Sequence, residues 1–448
     1  MKSYPYMVRA TMQTHTIDTN WTHRFYDYDQ LWFSTRKSGT WQHILVATQE
    51  LNTYPGAGGI SALRNYFYAP VVANNGSTFC ILCAPYTTYY PGTPSAIQVW
   101  LSFNEGATWS LASGVTGLAT VYGSDSFICA NGIFASFHGR GWYISSDCIK
   151  WEDVPMLLGA LGDNYWVDNS KSQVFVDSFG TVHILVQDYS DALWHSTSSD
   201  FRTWTEPVIV EPSGLYYADG ITICGFDKKL AICFMTWGGT NSIYVYRSTD
   251  NGKTFTGPTV FDSLTTFPNS EGITYWLTGD YSNCPMLLDG NGAHIYTSIG
   301  HVEYGDEYNY WEMVGLHTED LWAETPAWTI SAHYPLQAWL TQEHICDPIA
   351  KKSWSIWSDY TYVYFWEEGA YDGSTRAWWC VSDTPENREL IDKVNPGYGN
   401  SPDTYFWNSW ISNAVGTENY SDNYTYSRYS DDVKCYREFS RGGFAYFF

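Results

Sequence analysis

The stretch VYRSTDNGKTF, residues 245–255, decides the fold, because its pattern recurs along the chain. An apolar segment leads to Ser248, and Asp250, Gly252 and Phe255 follow at fixed intervals. The Asp250 carboxylate can accept hydrogen bonds from backbone N–H groups of its own turn. Gly252 permits a backbone angle that other residues avoid. We expect Phe255 to pack beneath the turn, which makes the stretch a structural hairpin plug rather than a catalytic site.

Three further segments repeat this pattern, which we call the box: VWLSFNEGATW (99–109), WYISSDCIKW (142–151) and LWHSTSSDFRTW (193–204). LWFSTRKSGTW (31–41), with Ser34, is a degenerate fifth copy. The leading serines are 68, 43, 53 and 50 residues apart, about one four-stranded sheet each. The structural residues predicted in the three segments are Ser102, Asn104, Gly106, Trp109, Ser145, Asp147, Trp151, Ser198, Asp200 and Trp204.

An apolar hairpin accompanies each box, as in VVANNGSTFCILCA (71–84) and FICANGIFASFH (127–138). The pairs Asn75-Gly76 and Asn131-Gly132 supply the positive φ angles of tight hairpin turns. Both strands of each hairpin are apolar at most positions, so we expect them to be covered on two faces.

This alternation of hairpins and boxes resembles the Asp-box, or BNR, repeat of the sialidase-like β-propellers, over about residues 20–310. The resemblance implies an all-β propeller of about six blades (five to seven), each a four-stranded antiparallel sheet beside a central channel. It also implies that the boxes are structural and lie on the outer rim. We predict a propeller over residues 1–384 and an aromatic-rich C-terminal extension or arm over 385–448. Strands from the two termini are candidates to pair and close the ring.

The composition narrows the function. The formal net charge of the 448 residues is −24, which argues against nucleic acid and anionic membranes as partners. No apolar run is long enough to insert into a membrane, and the N-terminus does not resemble a secretory signal. The 23 Trp and 37 Tyr favour β structure and the recognition of sugars. We expect the scattered cysteines to be buried free thiols, and His183 and His195 to be core or rim histidines.

Four acidic residues precede the predicted first strands of successive repeats, at intervals of 43, 51 and 52 residues: Asp125, Asp168, Asp219 and Glu271. We expect them at one mouth of the channel. Three roles stay open for them: hydrolysis of glycosides, binding of a ligand or of a structural cation such as calcium, and capping of strand starts. If the protein is an enzyme, Asp168, Asp219 and Glu271 are the catalytic candidates, because carboxylates held close together raise one another's pKa.

The candidate ligand-binding residues are one of these acids, Asp125, and five aromatic residues expected near the same mouth, because aromatic faces stack on sugars. The five aromatic residues are Trp166, Tyr216, Tyr217, Trp237 and Tyr275. The segment 174–210 also resembles blades of five-bladed glycosidases that use three carboxylates. We predict no metal ligands among these residues and no cofactor.

Sialidase activity is disfavoured. A sialidase needs three arginines to hold the substrate carboxylate, but no arginine lies between residues 248 and 375 and the family's Arg-Ile-Pro motif is missing. We therefore expect a propeller that recognises glycans or serves structurally, for example as a phage tail or capsid-surface protein that binds host carbohydrate. Its partners would be glycans, copies of itself or other virion proteins, and its location the virion or the extracellular space. The alternative is a glycoside hydrolase.

Overall fold

A computed structural model describes part of the chain. The described residues are 2–16, 24–35, 37, 42–50, 54–55, 61–62, 66–86, 97–119, 127–162, 164–166, 173–212, 218–236, 242–262, 275–277, 286–302, 309–330, 341–347, 352–358, 363–365, 376–377, 379–380, 434–439 and 443–447.

These residues form strands almost exclusively. The first thirteen are β1 (Lys2–Thr16), β2 (Arg24–Thr35), β3 (Gln42–Glu50), β4 (Tyr54–Pro55), β5 (Ser61–Ala62), β6 (Tyr66–Asn74), β7 (Phe79–Tyr86), β8 (Gln98–Ser102), β9 (Ser110–Leu111), β10 (Phe127–Ala130), β11 (Ile133–Phe137), β12 (Gly141–Ser145) and β13 (Glu152–Pro155). One 3₁₀ turn, Gly159–Leu161, follows them.

The remaining strands continue the same up-and-down course. They are β14 (Tyr165–Trp166), β15 (Val174–Val176), β16 (Val182–Asp188), β17 (Leu193–Ser198), β18 (Val208–Glu211), β19 (Ala218–Phe226), β20 (Lys229–Thr236), β21 (Ser242–Ser248), β22 (Thr256–Phe261), β23 (Tyr275–Leu277), β24 (Met286–Asp289), β25 (Gly292–Val302), β26 (Asn309–Thr318), β27 (Thr329–Ile330), β28 (Thr341–Asp347), β29 (Lys352–Ser358), β30 (Val363–Phe365), β31 (Arg376–Ala377), β32 (Trp379–Cys380), β33 (Lys434–Phe439) and β34 (Gly443–Phe447).

The strands build six successive sheets, besides the small pair β4–β5. Sheet 1 has the order β3-β2-β1-β33, and β34 also pairs with β1. Sheets 2, 3 and 5 are β6-β7-β8-β9, β10-β11-β12-β13 and β19-β20-β21-β22, and sheet 4 is β14-β16-β17-β18 with β15 also on β16. Sheet 6 contains β24-β25-β26-β27, extended through β29. Within each sheet the chain therefore moves from a first strand outward to a fourth.

Sheets 2 to 5 carry buried apolar side chains on both faces, and successive sheets pack against each other in chain order. In sheet 3, Phe134 and Tyr143 belong to the cluster shared with sheet 2, whereas Phe137 and Trp142 belong to the one shared with sheet 4. Equivalent buried clusters join sheets 1 and 2, 4 and 5, and 5 and 6. Burying one such large apolar side chain contributes about 1.5–3 kcal/mol, so these interfaces hold the fold together.

The first strands of successive sheets contact one another and form a closed ring. β6, β10, β15, β19 and β24 each contact the next, and β28 and β34 complete the circuit back to β6. β1, from the N-terminus, pairs with β33 and β34, from the C-terminus. The architecture is an all-β propeller with about six four-stranded antiparallel blades, as the repeats predicted, and the expected pairing of the two termini is confirmed.

The C-terminal segment divides into two parts. Its last two strands belong to sheet 1, while residues 381–433 lie outside the described residues. The predicted boundary near residue 385 stays a prediction.

The boxes form the turns between third and fourth strands. In the turn after β21, the Ser248 hydroxyl donates to Asp250 (2.8 Å) and accepts from the Gly252 N–H (2.8 Å), and Asp250 accepts from the Thr254 N–H (3.0 Å). Asn104 plays the Asp250 part after β8, where it accepts from the Thr108 N–H at 2.9 Å. These turns satisfy their own backbone donors, which makes them stable plugs.

The shorter boxes use the same contacts. Asp147 accepts from the N–H groups of Ile149 and Lys150, both at 2.8 Å, and Asp200 accepts from those of Arg202 and Thr203 at 2.9 and 2.8 Å. The backbone N–H groups of Lys150 and Ile149 hold the pKa of Asp147 below its usual value. A carboxylate with a lowered pKa stabilises the fold at neutral pH, and this contribution is lost as the pH falls through the lowered value.

A further box-like turn follows β26 and was missed in the sequence. Thr318 is buried at the serine position, and the Trp322 N–H donates to Asp320 (3.0 Å) as Arg202 does to Asp200. Thr318 replaces the serine and Glu324 stands where the shorter boxes have a ring, so the pattern was not recognised.

The box turns of sheets 2, 4, 5 and 6 each pack on a third-strand residue of the preceding sheet. The ring of Phe33, on β2, lies against Gly106, where an added Cβ would overlap it. The Trp142 ring packs on Phe201 with centroids 5.2 Å apart. The buried Arg247 donates to the Leu321 carbonyl at 2.8 Å and also to the Ala323 carbonyl. These box turns therefore close the end of their own sheet and pack that sheet against the preceding sheet.

We predict that Asp200→Ala lowers the free energy of unfolding by about 1–2 kcal/mol, because two backbone donors and the Ser198 hydroxyl lose their acceptor. Asp200→Asn is the matched control and should stay near the wild type, since Asn104 already fills this place in another box. Urea denaturation of the three proteins measures both. Equal losses in the two variants would contradict the structural role of the acceptor oxygen.

Candidate functional site

The repeated order of the sheets gives their first strands a common direction, so these strands begin at one end of the propeller, here called the mouth. Asp219 is the second residue of β19, and its backbone pairs with Met235 of β20. In chain order Asp125 stands two residues before β10 and Glu271 four residues before β23. Asp168 falls between β14 and β15 rather than ahead of both. That the four acids meet at the mouth stays a prediction.

Most side chains of the predicted site lie outside the described residues. Asp125, Asp168, Glu271, Tyr216, Tyr217 and Trp237 are not described at all. The structure gives only the backbone pairing of three others: Asp219, Trp166 with Gln187, and Tyr275 with His301. The distances among the four acids stay a prediction.

The first strands are irregular near their starts. The pairing register shifts between Asp219 and Thr222 in β19, and between Tyr68 and Val71 in β6. In sheets 4 and 6 the first strand is split, since β14 and β15 both pair with β16, and β23 and β24 both pair with β25. Bulges of this kind redirect side chains and are common beside functional sites. Pro70 and Gly220 are the sequence signals that could have revealed two of them.

An exposed aromatic side chain at the mouth was missed in the sequence. Tyr189 lies in the turn from β16 to β17, and Tyr165 at the start of β14 pairs with Asp188 at the end of β16, which places that turn at the mouth. The Tyr189 side chain is 66% exposed. Asp188 fixes the turn by accepting from the Ser190 N–H (2.8 Å) and the Trp194 indole (2.9 Å). The turn therefore presents a flat ring from a rigid support.

A tyrosine anchors the strand that leads to two of the predicted rings. β18 ends at Glu211, shortly before Tyr216 and Tyr217, and the Tyr246 hydroxyl donates to the Glu211 carboxylate. Burial, together with that hydrogen bond, raises the pKa of Tyr246 above its usual value, so the phenol remains a donor. The Tyr246 ring stacks on Phe234 with centroids 6.0 Å apart. Sheet 5 thus holds the last strand of sheet 4 at its mouth end.

The described residues show no metal cluster and no membrane-spanning helix. Within the ranges that the structure describes, no group of three or more His, Cys, Asp or Glu residues is arranged to hold a metal ion, and no helix is long and apolar enough to cross a membrane. Six of the cysteines in the described ranges are thiols outside any disulfide, and all of them but Cys129 are buried: Cys80, Cys83, Cys129, Cys148, Cys224 and Cys233.

Comparison with known proteins gives structural likenesses only. No protein-family model and no curated protein sequence matches the chain. The fold is similar to that of NanB sialidase from Streptococcus pneumoniae, with 9% sequence identity, a TM-score of 0.34 and coverage of 80% of this chain and 92% of that one. It is also similar to the catalytic domain of the GH62 α-L-arabinofuranosidase from Coprinopsis cinerea, with 13% identity, a TM-score of 0.30 and coverage of 57% and 90%.

A GH43 β-1,3-galactosidase is a third similar structure, at 9% identity and a TM-score of 0.31, covering 62% of this chain and 96% of its own. At these identities and TM-scores the likenesses establish neither a family nor an activity for this chain.

Tyr246→Phe should lower the free energy of unfolding by about 1.5–3 kcal/mol, because the variant loses a hydrogen bond to a carboxylate. Tyr244→Phe is the matched control, since Tyr244 lies on the same strand and stacks on the same Phe234 ring. Chemical denaturation of both variants gives the difference. A Tyr244→Phe loss as large as that of Tyr246→Phe would show that the Glu211 contact is unimportant.

Proposed function

We propose that the protein binds carbohydrate at the mouth of the propeller, where the first strands begin. The observation that carries the proposal is the interruption of four first strands near their starts, in β6, β14–β15, β19 and β23–β24. Acidic residues of the sequence fall at or next to three of these interruptions, namely Asp168, Asp219 and Glu271. Carboxylates accept hydrogen bonds from sugar hydroxyls, so this edge suits a polyhydroxylated ligand.

The aromatic rings of the mouth supply the second half of a sugar site. Tyr189 offers an exposed ring face on a fixed turn. The sequence places five further aromatic residues close to predicted mouth positions: Trp166, Tyr216, Tyr217, Trp237 and Tyr275. A ring that combines a flat apolar face with a polar edge matches the two kinds of surface of a sugar. Acids and rings together support recognition of a neutral or basic glycan rather than of an anionic one, given the net charge of −24.

Hydrolysis of the bound glycan is the second candidate function. It is suggested by the sequence positions of three acids relative to the first strands of neighbouring sheets: Asp219 lies on β19, Asp168 falls between β14 and β15, and Glu271 precedes β23. A glycoside hydrolase needs two carboxyl groups flanking the scissile bond, about 5–5.5 Å apart for retention and about 6.5–9.5 Å apart for inversion of configuration. Three acids around one mouth are enough for such a pair and a third group that adjusts its pKa.

We further propose that the protein displays this site on a virion or outside the cell, in contact with copies of itself or other virion proteins. The motivation is compositional: few charged residues and a tail rich in Trp and Tyr. Light scattering coupled to size-exclusion chromatography measures self-association, and a monomer at micromolar concentration would oppose this part of the proposal.

We predict that Tyr189→Ala weakens binding to a glycan found by array screening about tenfold, or ~1.4 kcal/mol. Phe179→Ala is the matched control, because Phe179 has the same 66% exposure but lies in the turn at the opposite end of β16. Calorimetric titration of both variants with the captured glycan gives the affinities. If Phe179→Ala weakened binding as much as Tyr189→Ala, the mouth would not be the site.

Turnover separates the two candidate functions. If the protein is a hydrolase, wild type should release product from a panel of aryl glycosides and host polysaccharides, and Asp168→Asn, Asp219→Asn or Glu271→Gln should abolish the release. Asp200→Asn, in a box turn, is the control expected to retain activity. Binding without product release identifies a recognition protein, and neither binding nor release would contradict the proposed function.

A further inference from the structure

Two buried thiols meet where the box turn of sheet 3 packs on sheet 2. Cys80 lies on β7, the second strand of sheet 2, and Cys148 lies in the turn after β12; both side chains are 0% exposed. The two residues belong to the apolar cluster that joins these sheets. The Cys80 and Cys148 thiols share a hydrogen bond, so their sulfur atoms are in direct contact across the interface.

The box turn holds Cys148 in a fixed position. Its φ of 59° is the left-handed angle that Phe201 adopts, at 60°, in the same place of the sheet 4 box. The Asp147 carboxylate accepts from two N–H groups of the turn, and the Trp151 indole donates to the Cys148 carbonyl at 3.1 Å. In sheet 4, Phe201 packs on Trp142 of the preceding sheet. In sheet 3, a thiol at the same place of the box makes the contact with the preceding sheet.

The backbone of Cys80 is held on both sides. β7 is an inner strand of sheet 2, and Cys80 stands opposite Ala73 of β6 and opposite Leu101 of β8. A shift of Cys80 would therefore disturb two strand pairings at once. Because a rigid strand and a rigid turn carry the two thiols, their contact belongs to the packed interface of the folded protein.

The cysteine nearest to Cys80 in the sequence faces the other way. Cys83 follows by three residues on the same strand, and side chains an odd number of residues apart lie on opposite faces of a sheet. Cys83 accordingly belongs to the cluster between sheets 1 and 2, and its sulfur lies 3.9 Å from Gln98 Oε1. The run CILC (80–83) therefore does not hold a pair of facing thiols.

A third thiol packs beside the same cluster but is engaged in its own sheet. Cys129 lies on β10 and is half-buried. Its sulfur accepts a hydrogen bond from the Gly132 N–H of the adjoining hairpin turn. The thiol-to-thiol hydrogen bond is the one between Cys80 and Cys148. These two residues are therefore the pair placed for a covalent link between sheets.

The link requires an oxidant and a short approach of the two sulfur atoms, which are about 2.05 Å apart in a disulfide. A small-molecule disulfide such as oxidised glutathione supplies the oxidising power. One protein thiolate displaces a glutathione thiolate to give a mixed disulfide, and the second protein thiolate then displaces the other. Two protein thiols are oxidised to one disulfide while one glutathione disulfide is reduced to two thiols, so atoms and electrons balance.

Burial determines when this exchange can take place. Removal from water raises the pKa of Cys80 well above its usual value, and the thiolate is the form that attacks a disulfide. Water and oxidant also have no access to side chains that are 0% exposed. The exchange therefore belongs to the folding of the chain, before the interface between sheets 2 and 3 closes over the thiols.

We propose that Cys80 and Cys148 are a cross-linking site, at which a disulfide forms as the chain folds in an oxidising environment and ties sheet 2 to sheet 3. The bond closes the loop of residues 80–148 and so restricts the unfolded chain. In a reducing environment the same interface is held by packing alone. The site lies at the end of the propeller opposite the mouth and does not depend on the proposed function.

Refolding under two redox conditions tests the proposal on the wild type. Protein unfolded and reduced in urea is refolded either with reduced and oxidised glutathione or with dithiothreitol, its remaining thiols are alkylated, and it is digested with trypsin. Glutathione should give peptide 65–140 joined to peptide 141–150, with fragment masses that place the bond between Cys80 and Cys148. Dithiothreitol should give the two peptides apart. A bond from Cys148 to Cys83 or Cys129, or no bond, would overturn the proposal.

The stability of the two refolded forms gives a second measurement. The unfolding constant in urea should be about 30- to 700-fold lower for the cross-linked wild type than for the reduced one. Cys80→Ala should abolish this difference, whereas Cys83→Ala, the matched control on the same strand, should keep it. Equal unfolding constants for the two wild-type forms would contradict a cross-link between the sheets. The wild-type comparison holds even if Cys80→Ala does not fold.

Discussion

The fold depends on sheets that are apolar on both faces. A sheet covered on one side still exposes a row of large side chains, such as Phe134 and Tyr143 on one face of sheet 3 and Phe137 and Trp142 on the other. Each sheet therefore needs two neighbours, and a linear stack would leave two faces bare. A ring has no end faces, and the chain completes it by pairing β1 with β33 and β34.

The box turns convert this general constraint into a specific arrangement. Box turns accept hydrogen bonds from their own backbone donors, and in sheets 2, 4, 5 and 6 the turn packs on one third-strand residue of the preceding sheet: Phe33, Trp142, His195 and Arg247, respectively. Phe33 and Arg247 stand one residue before the box serine of their strand, and Trp142 and His195 three residues before it. The contacting side chain ranges from an apolar ring to a buried guanidinium. Neighbouring blades can thus dock through different side chains without any change in the path of the backbone.

The sequence predicted the features that are local. The boxes and hairpins could be recognised because Ser248, Asp250 and Gly252 act within one turn, and their spacing repeats. The box-like turn at Thr318 escaped recognition because Thr318 replaces the serine and Glu324 the aromatic ring, while its docking partner Arg247 lies 71 positions earlier in the chain. The contact between His183 and His195 was equally hidden, because the two rings meet only through the β16–β17 register, in which His195 stands opposite Leu185. At the mouth, the positions of the acids were predicted from periodicity, whereas the strand interruptions depend on pairing between strands.

Closure of the ring by the two termini is the central claim, and one cross-link tests it directly. Met12 of β1 stands opposite Cys435 of β33, and Cα atoms of facing residues in an antiparallel pair are about 4.5–5.5 Å apart, within reach of a disulfide. Met12→Cys protein should, after exposure to oxidised glutathione, give a tryptic peptide pair joined between positions 12 and 435. Tyr4→Cys, whose register partner is Ala445, should not join to Cys435. Absence of the 12–435 link in folded protein, or equal linkage from position 4, would contradict the closed propeller.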